Sequence, residues 1–272
     1  GRLCFISSVA KTQSKIAVLY PTLSTWSMFD VKAHNDNPNP TWQVMEETLV
    51  SVTEALLRKH WSFDYLFEEV LLKTKIDSSN LLTDKANYSV LILPSIVTLK
   101  KELFEKIETF INKGGKVIAL DLLPFQLPGE NWSIREKIKD IFGVDPNTNN
   151  ERILELWKRR KEKRPSQNPL QKGDRKNNVT ILSTIKKEEE FEDDLDNLLS
   201  GFLNKDIGIL GQGTREIITS RRVFSNTDLF FFANQSPRQI DAKIKLRTRG
   251  KVELWNPESG EMSSIKTDRD DL

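Results

Sequence analysis

The first half of the chain alternates short apolar runs with longer amphipathic stretches. Ile16–Tyr20 and Val90–Leu93 are continuous apolar runs that each end at a proline, the pattern of a strand buried on both faces of a sheet. The segments predicted as strands are Ile16–Tyr20, Phe63–Phe67, Val90–Leu93, Lys116–Leu120 and Val179–Leu182.

The stretches between these runs have apolar residues at helical spacing. In the first of them, Met45, Leu49, Val52 and Leu56 form one buried stripe, and Thr41 is the predicted N-terminal cap. The predicted helices are Trp42–Lys59, Leu99–Lys113, Ile134–Phe142, Glu151–Arg164 and Glu188–Leu203. The predicted long loops are Thr22–Asn39 and 165–178.

Strands and helices that alternate at this spacing predict right-handed crossovers and a parallel sheet. Gly114–Gly115 and Gly143 mark the C-terminal ends of two of the helices. Five strands with helices on both faces form the doubly wound, flavodoxin-like pattern. Residues 1–210 are therefore predicted to be an α/β domain of this fold.

Residues 211–272 have a different pattern, with short apolar segments separated by turn residues. Ile240, Ala242, Ile244 and Leu246 alternate with polar neighbours at a period of two. The predicted strands are Ile217–Phe224, Leu229–Asn234, Ile240–Leu246, Lys251–Trp255 and Met262–Ile265. We expect them to be antiparallel and to form part of a β-sandwich that is left incomplete.

The composition excludes several classes of function. The net charge is +2, from 41 basic and 39 acidic residues, so neither nucleic acid nor a membrane surface is an expected partner. The basic run Lys158–Arg164 and the acidic run Glu188–Asp194 are predicted to be solvated helix faces. No apolar stretch approaches the roughly 20 residues that span a bilayer.

Cysteine and histidine are too few for a metal centre built on them. Cys4 is the single cysteine, which excludes a disulfide within the chain and a cysteine-based zinc site. His34 and His60 are the two histidines, so we expect no metal. The N-x-S/T sequons are explained by a composition rich in Asn, Ser and Thr, and they assign no compartment.

Ligands of open α/β sheets bind beyond the carboxyl ends of the strands, so these ends are the place to look for chemistry. The segment Pro21–Trp26 contains no glycine, which disfavours a phosphate cradle, and we expect no flavin, dinucleotide or other cofactor. Ser95 has no glycine neighbours and no histidine base, which disfavours an amidotransferase or esterase. Asp121 is either a phosphate- or metal-facing acid or, as we favour, a helix-capping or loop-bonding aspartate.

Adjacent carboxylates occur at Glu46–Glu47 and Glu68–Glu69, but neighbours in a helix or strand point apart. They do not predict a pair of carboxylates that face each other across a cleft.

One group of residues is typical of a carbohydrate contact. Trp26 and Trp42 flank the polar loop that contains His34, and an indole face can stack on a sugar ring. The candidates for sugar contact are Ser24, Trp26, His34 and Trp42, with Asn35 and Asn37 as further hydrogen-bonding groups. The alternative, which we favour, is that the tryptophans hold the loop against the sheet edge or another domain.

Several segments together resemble one family of enzymes. They are Ile16–Pro21 with Ser24–Trp26, Phe63–Leu71, Tyr88–Pro94, Phe110–Ile118, Leu229–Gln235 and Val252–Gly260. This order resembles the region after the catalytic barrel in α-L-rhamnosidase-type glycoside hydrolases, and similar glutamine-amidotransferase-like domains lie beside the barrel in some β-galactosidases. The resemblance implies that residues 1–210 form a domain of the class I glutamine-amidotransferase-like type. The string Leu254–Glu261, a strand followed by a turn, would then mark the entry of the next β-sandwich.

The resemblance implies a non-catalytic portion of a carbohydrate-degrading enzyme. In such enzymes the catalytic glutamates belong to the barrel, so no catalytic residue is expected here. The implied partners are the barrel of the same parent chain and an oligo- or polysaccharide, and a secreted or periplasmic parent is left open. The alternative is a free-standing α/β binding or scaffold protein without enzymatic activity.

Overall fold

The structure, a computed structural model, describes residues 2–28, 39–84, 86–125, 134–162, 178–265 and 267. Its central sheet has five parallel strands. In their order across the sheet they are Phe63–Phe67, Ile16–Tyr20, Val90–Leu93, Lys116–Leu120 and Val179–Leu182. Numbered along the chain, this order is 2-1-3-4-5, the flavodoxin-like arrangement. The predicted fold class is confirmed, and each of these strands has its predicted bounds.

Helices cover both faces of the sheet. One face packs against Lys101–Asn112 and Arg135–Phe142, and the other against Pro40–Arg58 and Glu188–Ser200. Because alternate strand residues point to opposite faces, Leu19 belongs to the first layer and the residue before it to the second. Both faces are therefore buried, as the continuous apolar runs predict.

A third apolar cluster lies beyond the carboxyl ends of the strands. Ile153 and Trp157 of the helix Pro146–Lys161 pack there with Val44 and Leu122. This helix thus covers the edge of the sheet at which an α/β protein of this type binds ligands.

The prediction of a loop from Thr22 to Asn39 is wrong at its start, since Thr22–Met28 is a helix. Thr25 donates to the carbonyl oxygen of Pro21 through its amide (2.9 Å) and its hydroxyl (2.7 Å). Hydroxyl-rich segments favour loops because their side chains compete for backbone partners, but here those bonds support a helical turn. Residues 29–38 of the predicted loop lie outside the described residues.

The predicted cap of the next helix is also wrong. Asn39, not Thr41, caps Pro40–Arg58, and its side-chain oxygen accepts from the Thr41 amide at 2.9 Å. Pro40 occupies the first helical turn, where its missing N–H costs nothing.

The helix Pro146–Lys161 begins five residues before the predicted start at Glu151. Asp145 caps it by accepting from the amides of Asn147 (3.1 Å) and Thr148 (3.2 Å). The asparagine-rich first turn looks like a loop in sequence, but Asn150 is held by tertiary bonds to the backbone of Leu123. The predicted loop 165–178 lies outside the described residues except for its last residue.

The remaining predicted helices differ from the structure only at their ends. Lys101–Asn112 is followed by Gly114 with φ of +92°, and Arg135–Phe142 by Gly143 with φ of +75°, both in the left-handed region. Glu188–Ser200 ends before the predicted Leu203, which packs beside the sheet instead.

The antiparallel strands form several small sheets. Ile217–Phe224 pairs with Thr227–Asn234 and also with the short strand Lys11–Thr12 from the start of the chain. The two-stranded sheets are Ile207–Leu210 with Lys243–Leu246, and Glu253–Trp255 with Met262–Ser264. The strand Ile207–Leu210 precedes the predicted boundary at residue 210, and this boundary stays a prediction.

Some elements have no strong sequence signal. They are the helices Arg2–Val9 and Glu68–Lys73, the three-residue 3-10 helix Thr214–Glu216, and a three-stranded meander of Lys75–Asp77, Asn80–Leu82 and Asn87–Tyr88. Each is short, so its residues show too few periods to be recognised.

The antiparallel segment has little core of its own. Among its described residues from 211 onward, Ile217 is the one buried side chain. Trp255 is 51 % exposed and its cross-strand partner Met262 is 65 % exposed. Because a sheet must bury one face to be stable, this segment depends on contacts with other parts of the protein.

Candidate functional site

The topological switch point of this sheet lies between Ile16–Tyr20 and Val90–Leu93, where a flavodoxin-like fold binds its ligand. Ser24 closes this position. Its hydroxyl accepts from the amides of Val97 (3.2 Å) and Thr98 (2.9 Å) and donates to the carbonyl oxygen of Thr98 at 2.9 Å. The helix Thr22–Met28 is thereby joined to the loop after the third strand, and the crevice is filled by protein.

A buried carboxylate, that of Glu68, lies at the end of the edge strand. Its Oε1 accepts from the Leu23 amide at 3.1 Å, which ties the edge strand to the Thr22–Met28 helix. Burial raises the pKa of the Glu68 carboxyl, and the Leu23 bond and nearby Lys100 partly oppose this. Glu69, the other member of the predicted pair, is exposed. The two carboxylates therefore point apart, as expected.

Asp121 is the centre of the largest buried polar network at this edge. Its carboxylate accepts from the hydroxyls of Ser183 (2.5 Å) and Thr184 (2.5 Å), the Thr184 amide (3.1 Å) and the Thr48 hydroxyl (3.1 Å). Asp121 has φ of +51°, a conformation that aspartate tolerates better than most residues. Burial raises the pKa of its carboxyl, and these hydrogen bonds oppose the increase. The carboxylate therefore bonds to the loop after the fifth strand and to the helix Pro40–Arg58, in agreement with the favoured interpretation of a loop-bonding aspartate.

Ser95 occupies the position where an amidotransferase-like enzyme would have its nucleophile. Its hydroxyl bonds to Thr48 (2.9 Å) and accepts from the Leu122 amide (3.2 Å), and the residue is fully buried. It therefore joins three segments of the protein and does not face solvent.

Two asparagines complete the closure of the edge. Asn150 accepts from the Leu123 amide and donates to the Leu123 carbonyl oxygen, both at 2.8 Å. Asn149 donates to the carbonyl oxygen of Asp121 at 2.8 Å. The backbone after the fourth strand thus has side-chain partners from the covering helix, an arrangement that sequence spacing alone does not reveal.

The residues predicted to contact carbohydrate are placed in different environments. Ser24 is fully buried, whereas Trp26, two residues later, is 75 % exposed. Trp42 is half-buried in the first turn of Pro40–Arg58. His34 lies outside the described residues, as do Asn35 and Asn37. Trp26 is therefore the predicted candidate that the described residues present to solvent.

Two residues of the basic run pair with one acidic side chain, that of Glu47. Glu47 accepts from the Trp157 indole (3.0 Å), and pairs with Arg160 (2.5 Å) and Lys161 (2.7 Å). These hydrogen bonds and charges lower the pKa of Glu47 although partial burial opposes them. Glu46 is exposed, so this predicted carboxylate pair also points apart.

The prediction that the acidic run is a solvated helix face is wrong for Glu192. Its side chain is 2 % exposed and pairs with Arg58 (3.0 Å) and Arg215 (2.6 Å). Arg58 belongs to a helix of the α/β unit, and Arg215 to the 3-10 helix that directly precedes the antiparallel strand Ile217–Phe224. Glu192 thus joins the two parts of the chain, which a charge pattern cannot show because the partners are distant in sequence.

Among the described residues, no group of three acidic, histidine or cysteine side chains is arranged to hold a metal ion. Within the same ranges, no helix has both the length and the apolar character that a membrane crossing needs.

The fold and the closed carboxyl edge define a flavodoxin-like α/β unit with attached antiparallel strands. Residues 30–269 match the alpha-L-rhamnosidase family of glycoside hydrolases. The chain belongs to this family, and the resemblance seen in the sequence is confirmed. It is therefore related to carbohydrate-degrading enzymes. A comparison with curated protein sequences gives no match.

Solved structures with a similar fold are larger enzymes. Gan42B, a GH42 beta-galactosidase, has a TM-score of 0.56 at 12% identity, covering 92% of this chain and 38% of that one. A beta-galactosidase from Bacillus circulans sp. alkalophilus has a TM-score of 0.55 at 12% identity, with coverages of 94% and 40%. A cold-adapted beta-galactosidase from Rahnella sp. R3 has a TM-score of 0.54 at 12% identity, covering 83% of this chain and 36% of that one. The chain thus spans about two-fifths of the length of these structures, and the likeness concerns the fold.

Proposed function

We propose that this chain is a non-catalytic accessory portion of an α-L-rhamnosidase-like glycoside hydrolase, which supports the catalytic barrel or contacts sugar. The observation that carries the proposal is the closed carboxyl edge of the sheet. Ser24, Glu68 and Asp121 lie at the carboxyl edge, where a ligand would bind, and the side chain of each accepts a hydrogen bond from a neighbouring protein group.

The chemistry of glycoside hydrolysis supports the same conclusion. Most such enzymes need two carboxyl groups on either side of the scissile bond, separated by about 5–10 Å of open cleft. The buried carboxylates of the described edge, Glu68 and Asp121, accept hydrogen bonds from neighbouring protein groups. Both residues are buried, so neither carboxyl group is open to a substrate.

Exposed aromatic side chains supply surfaces for a neighbouring domain or a sugar. On the edge strand Phe63–Phe67, Tyr65 is 41 % and Phe67 is 52 % exposed. Tyr20 contacts both rings, edge-on to Tyr65 at a centroid distance of 6.2 Å and tilted to Phe67 at 5.3 Å. Rings at such angles do not form one flat platform for a sugar, so this surface favours contact with protein.

Hydrolysis of an aryl α-L-rhamnoside by the purified chain tests the non-catalytic role. We expect release of the aryl group no faster than in buffer, because Glu68 and Asp121, the carboxylates at the carboxyl edge of the sheet, are buried. The Glu68→Gln variant is the control for contamination, since a trace enzyme would give the same rate in both preparations. Turnover by the native chain that Glu68→Gln abolishes would refute the proposal.

Titration calorimetry with rhamnose-containing oligosaccharides separates the two accessory roles. If the Trp26 surface contacts sugar, Trp26→Ala will weaken oligosaccharide binding. The control is Trp255→Ala, which removes another exposed indole (51 % exposed) and should leave binding unchanged. Equal heats for the native chain and both variants would assign Trp26 to contact with protein.

A further inference from the structure

The three-stranded antiparallel sheet ends in a long edge strand. Thr227–Asn234 has eight residues and pairs along its whole length with Ile217–Phe224, the inner strand, while the sheet ends on its other side. The opposite edge of the same sheet is Lys11–Thr12, which is two residues long and carries a lysine. A long edge presents a row of backbone groups to which another strand can bind.

The hydrogen bonds next to this strand show which of its backbone groups point outward. Alternate residues of an antiparallel strand direct both their N–H and their C=O at the same neighbour. The Gln235 amide donates to the Glu216 carbonyl oxygen at 2.9 Å, so the odd-numbered residues of the edge strand face the inner strand. In agreement, Arg221, which lies opposite Phe230, uses its carbonyl oxygen to accept from the Gln13 amide on the far side of the inner strand. The residues whose backbone groups point outward are therefore Asp228, Phe230, Phe232 and Asn234.

The outward side of the edge strand is unprotected. Its outward backbone groups have no hydrogen-bond partner among the described residues. The strand has no proline or lysine, and its continuous register with the inner strand contains no bulge, so the usual devices that prevent edge pairing are missing. Its single charged residue, Asp228, pairs with Arg221 at 2.8 Å and accepts from the Thr248 hydroxyl at 2.8 Å. Another strand can therefore approach without meeting an uncompensated charge.

We propose that Thr227–Asn234 is a dimerisation strand, which pairs in antiparallel orientation with the same strand of a second copy of this chain. The two three-stranded sheets then form one sheet of six strands. The two-fold axis passes through Phe231, because this register pairs all four outward residues. The hydrogen-bonded pairs are Asp228 with Asn234 and Phe230 with Phe232, each formed twice. This inference concerns the chain by itself and does not rest on the proposed accessory function.

The strand is complementary to itself in this register. Phe231 is 43 % exposed, and its ring meets that of the second copy at a non-hydrogen-bonded position, where opposite side chains are closest and aromatic pairs are favourable. Asp228 lies opposite Asn234, so no like charges face each other. The Asn234 side chain donates to the carbonyl oxygen of exposed Arg238 at 2.8 Å. Each copy therefore brings a positive charge towards the Asp228 carboxylate of the other.

Sedimentation of the purified chain over a wide range of concentrations tests dimer formation. We expect the mass to rise from one chain to two as the concentration increases. Phe231→Lys places two like charges opposite each other at the two-fold axis and should raise the dissociation constant of the dimer about tenfold or more. Phe224→Lys, which makes the same change at a similarly exposed position (46 %) of the inner strand, is the control and should leave it unchanged. A chain that stays monomeric at every concentration would overturn the proposal.

Disulfide cross-linking tests the register. Cys4 is exposed, so the cross-linking variants carry Cys4→Ser. Cα atoms at a non-hydrogen-bonded position are about 4.5 Å apart, within the range that a disulfide bridges. Phe231→Cys should therefore give a covalent dimer under mild oxidation. Phe224→Cys should not, because the two copies of this residue lie at opposite ends of the six-stranded sheet. Equal cross-linking of the two variants would contradict the two-fold axis at Phe231.

Hydrogen exchange at single-residue resolution tests the backbone pairing in the native chain. We expect exchange of the Phe230 and Phe232 amides to slow as the concentration rises. The amides of Leu229 and Phe231 face the inner strand and should exchange at the same rate throughout. If Phe231→Lys fails to fold, this pattern still decides the proposal. Dimer formation that leaves exchange at Phe230 and Phe232 unchanged would assign the contact to another surface and overturn the dimerisation strand.

Discussion

Asp121 allows the closed carboxyl edge to be tested directly by substitution. Asp121→Ala removes the acceptor of hydrogen bonds from Ser183, Thr184 and Thr48 in a place where no solvent reaches. Each buried donor left without a partner costs about 1–3 kcal/mol, although hydroxyl groups can turn to other acceptors. Alanine is also less tolerant than aspartate of φ at +51°. We therefore expect a loss of about 3–5 kcal/mol in the free energy of unfolding.

Asp121→Asn distinguishes the shape of the side chain from its charge. The amide keeps the size of the carboxyl and tolerates the left-handed conformation, so the expected loss is smaller, about 1–2 kcal/mol. Because burial raises the pKa of Asp121, its contribution to stability is fully present below the ordinary pKa and is lost as the pH rises through the raised value. The stability difference between the native chain and Asp121→Asn should therefore be larger in acid than at neutral pH.

Urea unfolding followed by circular dichroism measures both effects. Asp241→Ala, which changes an exposed aspartate, is the matched control and should lie within about 0.5 kcal/mol of the native chain. The reasoning is refuted if Asp121→Ala costs no more than this control. It is also refuted if the deficit of Asp121→Asn is the same at both pH values.

Further substitutions test other contacts by the same unfolding assay. Glu192→Gln should lower the free energy of unfolding by about 2 kcal/mol, less than the loss of a fully buried ion pair, because its arginine partners can be rehydrated. Glu190→Gln, on the exposed face of the same helix, is the control and should change it hardly at all. Equal losses in the two variants would contradict the buried bridge. Ser24→Ala should cost about 1–2 kcal/mol and speed hydrogen exchange at Thr98, whose amide loses its acceptor; unchanged exchange there would contradict the closure of the crevice. Asn39→Ala should cost about 1 kcal/mol through loss of a helix cap, whereas a stability equal to the native value would point to another cap.

The recognisable parts of the fold are those whose pattern is local. The strands Ile16–Tyr20 and Lys116–Leu120 are apolar runs, and such a run by itself predicts a strand that is buried on both faces of a sheet. The helix Pro40–Arg58 shows its stripe at regular spacing, although its first residues depended on which of two polar residues made the cap. Short elements such as the helix Glu68–Lys73 are not predicted, because a helix of fewer than two turns shows no repeat of apolar residues.

The candidate site was harder to predict than the fold. Ser24 and Trp26 are only two residues apart, yet one is fully buried and the other is largely exposed. The sequence pointed to both as sugar contacts, since a hydroxyl and an indole suit that role. Which of them faces solvent depends on Val97 and Thr98, more than 70 residues away in the chain, because their amides bind Ser24.

By itself, the amino-acid sequence determined the α/β class, the five parallel strands, the change to antiparallel strands and the family resemblance. These follow from the periodicity of apolar residues and from the order of short motifs, both of which are properties of neighbouring positions. Only the tertiary structure decided that Asp121 is enclosed and that Glu192 bridges two arginines. Such contacts join residues that are far apart in sequence, and their burial and charge exist only after the chain has folded.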